Sequence, residues 1–356
     1  MTLYIDGSRL GNPTPTGVEI YSEEVIPRIC AYAKEHNIEV KLLVQSKKII
    51  DVPQIILRGK FMWSLISMSW FFLRNRKKGD MLFVPSHILP VMLPSQSFVT
   101  IHDIAWKHFP QAYSFKEKML LGFSTIWAKI FATKIITISP QSKADLMKFY
   151  KVPESKIEII PLGVAKEEIQ NLVMKDSSEL LRKYNLTSKK YLMYLGRIET
   201  KKNVGLMIRA FYASNLSKEF TLVLIGKPGV GYEKVISEIK DERVQNLGYL
   251  SKEEAYTLLF ESACFVFPSL YEGFGMPVLE ALSLGVPVIS SNAASLPYVG
   301  GNFVTYFDPT NESELKNIFD NFEIRELPIG VENHLNQFSW DNTAKQIVET
   351  LALLKT

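Results

Sequence analysis

Two glutamates, Glu272 and Glu280, stand eight positions apart in SLYEGFGMPVLEALSLG (269–285), with Gly273, Gly275 and Pro277 between them. Glycines at such positions let the backbone turn sharply and aim N–H groups outward as an anion-binding nest. Pro277 suits the first turn of a helix, so a helix is expected to start there. Its positive end would add to the pull on an anion. A diphosphate suits this seat, and Glu280, expected in the first helical turn, could accept hydrogen bonds from a ribose diol. A plainer reading makes Glu280 an acid that complements the helix dipole and Glu272 a turn residue. On this stretch alone the two readings weigh the same.

Other residues able to do chemistry stand where apolar runs stop. GRIETKKN (196–203) puts Arg197 and Lys202 on a loop leading into a helix that Asn203 would cap, an arrangement suited to phosphate. Solvated loop cations would look the same. FVTIHD ends on His102 and Asp103; a histidine there can bind a substrate hydroxyl or move a proton, or be structural. GNPTPTGVEIY brings Gly17 to the start of another helix, where backbone could approach phosphate or sugar. His87, in PSHILP, has a proline-rich setting that reads as structural. No D-x-D pair, P-loop or clustered His/Cys spacing occurs, so no metal site is expected and positive charge must come from Arg197, Lys202 and the helix end. No G-x-G-x-x-G joins a strand to a helix, which argues against a dinucleotide dehydrogenase.

The elements that would hold these residues alternate along the chain. LYID (3–6), VKLLVQ (40–45), MLFVP (81–85), FVTIHD (98–103), KIITIS (134–139) and KIEIIP (156–161) read as strands of a first sheet. YLMYLG (191–196), FTLVLIG (220–226), ACFVFPS (263–269) and PVISS (287–291) read as a second. Near-continuous apolar runs are the mark of parallel strands covered on both faces. Segments between them, such as Gly17–His36 and Ser114–Ala132, have helical length and period. The pattern predicts an α/β protein of two doubly wound, Rossmann-like domains whose strand ends face a cleft. Residues 1–165 form the first, 166–335 the second, and the polar stretch Lys166–Lys190 holds the boundary. Residues 336–356 form a final helix with Ser339 or Asp341 as its cap.

With 356 residues the chain exceeds one ordinary core, and 47% hydrophobic against 22% charged residues is a folded composition. Cys30 and Cys264 sit in apolar segments and read as buried thiols of a reducing compartment. The opening residues carry no basic stretch followed by an apolar run, so a cytoplasmic protein is expected. Residues 1–165 carry 21 Lys+Arg against 13 Asp+Glu, a balance of +8, whereas the remainder stands at −4. That asymmetry suits a membrane surface or an anionic lipid carrier, with peripheral contact through the basic front domain at the inner face of the membrane. Nucleic acid is not expected, because the cations are scattered and no recognition module appears. FMWSLISMSWFFLRNRKKGD (61–80) is apolar for 13 residues and then basic. That is well short of the roughly 20 needed to span a bilayer. It reads either as a buried helix with a solvated basic end or as an interfacial contact.

Taken in order, PTGVEIY, HDIAWKHFP, ITISPQSKADL, IIPLGV, GRIETKKN and, most specifically, PSLYEGFGMPVLEALSLGVPVISS resemble the motifs of the retaining glycosyltransferases of family 4, which have the GT-B fold. The likeness is strongest to bacterial mannosyltransferase-like members that build polysaccharides. It implies transfer of a hexose, mannose first, from a nucleoside-diphosphate sugar (GDP- or UDP-linked) to a hydroxyl of a saccharide or lipid-linked saccharide, without metal or cofactor. By the same resemblance Arg197 and Lys202 would bind the diphosphate and Glu280 the ribose. Glu272 and the backbone of Gly273, Phe274, Gly275 and Met276 would meet the donor, His102 its sugar, and Gly17 the phosphates or acceptor. The final helix around Trp340 would cross back to the first domain. The chain departs from the family pattern at SLPYVGG, where Tyr298 stands in place of a frequent acid, which puts donor details in question. Two rival readings are a non-catalytic nucleotide-sugar-binding protein of the same fold and a nucleotide-sugar epimerase.

Overall fold

The structure, a computed structural model, describes residues 1–12, 15–59 and 62–352. Pro13 and Thr14 of the glycine loop, Phe61 at the head of the 61–80 segment, and residues 353–356 of the final helix lie outside the described residues. The chain divides into two compact units, Met1–Gly163 with Phe338–Thr356, and Val164–Gln337.

The first unit is built on β1 (Thr2–Asp6), β2 (Glu39–Val44), β3 (Gln54–Ile56), β4 (Met81–Val84), β5 (Gln96–Thr100), β6 (Lys134–Thr137) and β7 (Ile157–Ile159), all parallel, in the order β3-β2-β1-β4-β5-β6-β7. Every residue of β1 and β4 is buried, as the apolar runs require. Right-handed crossovers put the helix Gly17–Glu35 on one face of the sheet, and the helices Trp63–Asn75 and Phe115–Phe131 on the other. Trp63, Met68, Phe72, Trp106, Ala128 and Tyr150 accordingly join one core cluster beneath that second face. The final helix Trp340–Ala352 lies along Gly17–Glu35. Thr343 Oγ1 donates to the Pro161 carbonyl at 2.7 Å, and Arg28 meets Asp341 at 3.1 Å. The backbone at Trp340 comes so near Gly163 that a Cβ there would lie 2.2 Å from the Trp340 nitrogen. Asp341 thus sits in the first helical turn and is used in an ion pair, while Ser339 precedes the helix.

The second unit carries β8 (Tyr191–Leu195), β9 (Thr221–Ile225), β10 (Val244–Gly248), β11 (Cys264–Phe267), β12 (Val288–Ser291) and β13 (Thr305–Phe307) in the order β10-β9-β8-β11-β12-β13, again parallel. Strand order reverses between β8 and β11, and ligands of doubly wound sheets bind beyond the carboxyl ends at such a switch point. The loops leaving these two neighbours carry Arg197, Lys202 and Glu272.

Three strands escape the sequence pattern: β3, β10 and β13. Two are outermost in the first and second sheets and the third closes the far edge, so each pairs on one side only. An edge strand can be short and only partly buried, as QII, VQNLG and TYF are. The domain boundary also moves. The chain passes between units at Gly163–Val164, two residues before the expected 165, and returns after Gln337 rather than 335. Lys166–Lys190, expected to hold the boundary, lies within the second unit and forms the helices Lys166–Leu172 and Ser178–Lys183. Their polar residues face outward, while Ile169 and Leu180 are buried in contact with the helices that flank them.

Both cysteines are free. Burial raises both thiols, that of Cys30 to about 12. Among the described residues, no helix is long and apolar enough to cross a membrane.

Candidate functional site

The loop after β8 tightens into a short turn, Thr200–Lys202, before the helix Val204–Ala213. Across from it the loop after β11 is stitched in place by Leu270 N–H donating to the Lys201 carbonyl at 3.0 Å. That contact sets Lys202 against Glu272: Nζ stands 2.5 Å from Oε1, and both side chains are largely withdrawn from water. The same ammonium lies 5.7 Å from the Phe267 ring centroid. Arg197 is exposed, its own carbonyl held by the Tyr194 hydroxyl at 2.7 Å. Burial, with the nearby charges of Glu272 and Glu199, keeps that phenol protonated. Asn203 stands at the cap position as expected, but its side chain makes no capping bond. It takes a left-handed backbone, φ +57°, and its side-chain amide donates to the Pro309 carbonyl at 2.8 Å.

The glycine-rich corner is equally fixed. Gly275 holds φ +115°, and a Cβ there would come 2.6 Å from Leu296 Cδ2, so only glycine suits this position. Ser295, buried, donates to the carbonyls of both Glu272 and Phe274, at 2.8 and 2.7 Å. With those carbonyls tied inward, the helix Met276–Ser283 begins directly after the corner, Pro277 in its first turn. The N–H groups of that turn lack partners four residues back within the helix. Phe274 is buried and can offer a ligand only its backbone, as can Gly273, while Met276 stays partly open.

Glu280 sits one turn further along than expected. The helix starts at Met276, so Glu280 is its fifth residue and the first turn holds no acid. Helix-dipole effects fade beyond the first turn, which removes the plain explanation for this carboxylate. Instead it meets the Tyr256 hydroxyl of the helix Lys252–Glu261, and burial raises it to about 7, against the pull of that hydrogen bond and of Lys252. Glu272 is likewise more than a turn residue, since Lys202 engages it. Arg197, Lys202, Glu272, the 273–276 backbone and Glu280 therefore gather on the loops and helix of one unit.

In the first unit, His102 lies two residues beyond the end of β5. Its Nε2 meets the Pro85 carbonyl at 3.0 Å, its ring stands edge-on to Tyr21 at 4.8 Å, and Ser142 Oγ donates to its backbone carbonyl at 2.9 Å. Burial lowers its pKa, outweighing the Pro85 carbonyl and Asp103, so the ring is neutral. His87 meets Thr125 Oγ1 at 2.9 Å and packs on Trp106, and burial together with His102 lowers it to about 3, in line with a structural role. Gly17 opens the helix Gly17–Glu35 exposed, with nothing near where a Cβ would stand. Neither packing nor a turn accounts for a glycine there.

Four residues of these surroundings were not singled out from the sequence, although Thr16-x-x-Glu19 carries a capping-box spacing. Ser295 and Tyr256 act through contacts 21 to 24 positions away in the chain. Asp6, at the end of β1, is fully buried; Oδ1 accepts from the Ser8 N–H at 2.9 Å, Oδ2 has no partner among the described residues, and burial raises its pKa. Glu19 is buried between Arg9, at 3.1 Å, and Thr16; burial would raise it, but the Thr16 hydrogen bonds and Arg9 hold it low. Among the described residues, no three His, Cys, Asp or Glu side chains gather as metal ligands would.

Comparison with known proteins adds the following. Residues 176–335 match the model of the family described as glycosyl transferases group 1. The chain is 27% identical to O-antigen chain mannosyltransferase B of Escherichia coli over 95% of this chain and 96% of that one. It is 24% identical to O-antigen chain mannosyltransferase RfbU of Salmonella typhimurium, over 75% and 71% of the two chains. The fold matches that of Anabaena Alr3699/HepE, solved in complex with UDP and glucose, with a TM-score of 0.71, 16% identity and coverage of 99% and 100%.

Proposed function

We propose that the chain is a glycosyltransferase of the GT-B fold that moves a hexose, mannose first, from a nucleoside-diphosphate sugar to a hydroxyl of a saccharide or lipid-linked saccharide, in keeping with the match of residues 176–335 to the group 1 glycosyl transferases. The products would be cell-surface polysaccharide, the role named for the two O-antigen relatives. One observation carries the donor reading: the Lys202 ammonium held beside the Gly275 corner and the start of a helix, a concentrated positive site with a carboxylate as its present partner.

In this proposal the diphosphate takes up Lys202 and Arg197, which strengthen their hold as the bond between the sugar C1 and the phosphate oxygen breaks and charge collects on the leaving group. The backbone of Gly273, Phe274, Gly275 and Met276 and the Glu272 carboxylate meet the donor sugar. Glu280 accepts from the ribose diol, His102 contacts the sugar, and Gly17 leaves room for phosphate or acceptor. The acceptor oxygen bonds to C1 on the face the phosphate leaves, and its proton passes to the departing phosphate oxygen, so configuration is retained. Glu272 is engaged by Lys202 rather than poised as a nucleophile, which favours this front-side course.

Incubation with a panel of GDP- and UDP-hexoses and a mannose-terminated acceptor, with and without chelator, tests the reading. Acceptor-dependent release of nucleoside diphosphate and an α-linked product by NMR, unaffected by chelator, are expected. Donor isomerisation without an acceptor would assign an epimerase, binding without turnover a silent binder, and a sugar trapped on Glu272 a double displacement.

A further inference from the structure

We propose that the face of the first unit formed by the helices Trp63–Asn75 and Phe115–Phe131 docks on an anionic lipid bilayer. The second helix packs Leu121 and Trp127 against the core and is apolar on its outward side as well. Its buried side holds Ser124, Thr125 and Ala128. Its exposed side carries Phe115, Met119, Phe123, Ile126 and Ile130, spaced four, four, three and four residues apart along one stripe. The first helix buries Met68 and Phe72 and yet also turns Ile66, Trp70 and Leu73 outward, each more than half exposed, 54%, 55% and 51%.

The two stripes belong to one surface. Both helices cover the same face of the sheet, and the loop between β4 and β5 joins them. Val91 and Met92 N–H groups donate to Ser69 Oγ, at 2.8 and 3.3 Å, and Trp127 Nε1 donates to the Pro90 carbonyl at 3.1 Å. A groove of about 700 Å³ runs along the first helix, lined by Ile56, Ile66, Trp70, Leu73 and Val91. Contiguous apolar surface of this extent marks an interaction site.

Charge selects the occupant. Residues 56–78 contain six Lys and Arg and no acid, and the helix 115–131 adds three lysines against Glu117. Arg74, Arg76, Lys77, Lys78 and Lys116 are exposed around the apolar stripes. The Arg74 guanidinium carbon lies 4.1 Å from the Trp70 ring centroid, so a cation rests on the face of an outward indole. A second copy docking by two-fold symmetry would bring these cations against themselves. Phospholipid headgroups would neutralise them, while the apolar residues enter the acyl boundary. This surface suits a lipid-linked acceptor but rests on unit one alone, not on the transfer reaction.

Sedimentation of the full chain with vesicles, without donor or acceptor, tests it. The chain is expected to pellet with phosphatidylcholine–phosphatidylglycerol vesicles in equal parts, weakly with phosphatidylcholine alone, and less as salt rises. Trp70→Ser with Leu73→Ser, and separately Ile126→Ser with Ile130→Ser, should each lower the partition about tenfold or more with the melting temperature unchanged, since these side chains stand in water. Trp70→Phe should keep binding but lose most of the quenching that brominated lipids impose on tryptophan fluorescence. Parent-like binding by both double variants, binding without Trp70 quenching, or failure of the parent to bind would overturn the proposal. So would a parent dimer that the double variants dissociate, which would give the face to a second copy.

Discussion

Lys202 Nζ and Glu272 Oε1 meet at 2.5 Å between loops that leave two hydrogen-bonded strands, β8 and β11. The strands fix how far apart the loops start, and the Leu270–Lys201 hydrogen bond fixes how they end. Lys202→Ala is expected to lower kcat by about 10²–10³-fold, the usual loss for a donor matched to transition-state charge. Adding Glu272→Ala should cost less than the product of the single effects, because the residues share one contact. Steady-state kinetics on the four proteins would check it; full additivity would separate the two roles.

Glu280 gives a pH signature. Burial raises its carboxyl from 4.5 to about 7, so the folded chain holds that proton more tightly than the unfolded one. Its contribution to stability is full below 4.5, falls as pH rises through the window up to about 7, and is lost above it. Glu280→Gln should thus melt higher than the parent at pH above about 7, with the gap closing toward pH 4.5. Nucleotide binding should move the other way, weakened by the substitution and tightening in the parent as the carboxylate ionises. Thermal melts and titration calorimetry across the window would show both; a pH-independent gap would contradict the first.

The two glycines predict opposite outcomes. Gly275→Ala forces φ +115° on an alanine and a Cβ against Leu296, so a loss of roughly 1–3 kcal/mol in urea unfolding is expected. Gly17→Ala meets open space at a helix start, so stability should hold or rise slightly while kcat/KM falls. Stability unchanged in the first, or activity unchanged in the second, would count against the roles assigned.

Ser295 Oγ reaches two carbonyls, and Ser295→Ala would remove that hydroxyl from both in a buried site. A destabilisation of about 1–3 kcal/mol is expected. The KM for donor should rise too, because the 272–274 backbone loses its tie. Unfolding curves and donor titrations of Ser295→Ala beside Ser295→Thr separate the two, as the threonine keeps a hydroxyl.

Much of this was legible before the structure. The central strands announced themselves because burial on both faces leaves nothing but apolar residues, as in YLMYL and MLFV. The edge strands β3, β10 and β13 did not, since one-sided pairing relaxes that demand. Lys166–Lys190 misled as the boundary stretch because the short helices there bury little more than Ile169 and Leu180. The 61–80 segment is divided, with Met68 and Phe72 inward and Trp70 and Leu73 outward. Sequence periodicity marks a stripe without saying what covers it.

By itself the sequence determined the chemistry available: which strand ends carry Arg197, Lys202 and Glu272, that a glycine corner opens a helix, and that the first unit is basic. Those facts are local, set by residue type and by spacing along a strand or turn. Only the tertiary structure decided which groups touch. It paired Lys202 with Glu272 seventy residues away, gave Glu280 to Tyr256 rather than to the helix dipole, and turned Phe123, Ile126 and Ile130 toward water. Such contacts depend on strand order and on which face of a helix the sheet covers. Both are settled by packing the whole unit at once, which no short stretch of chain encodes.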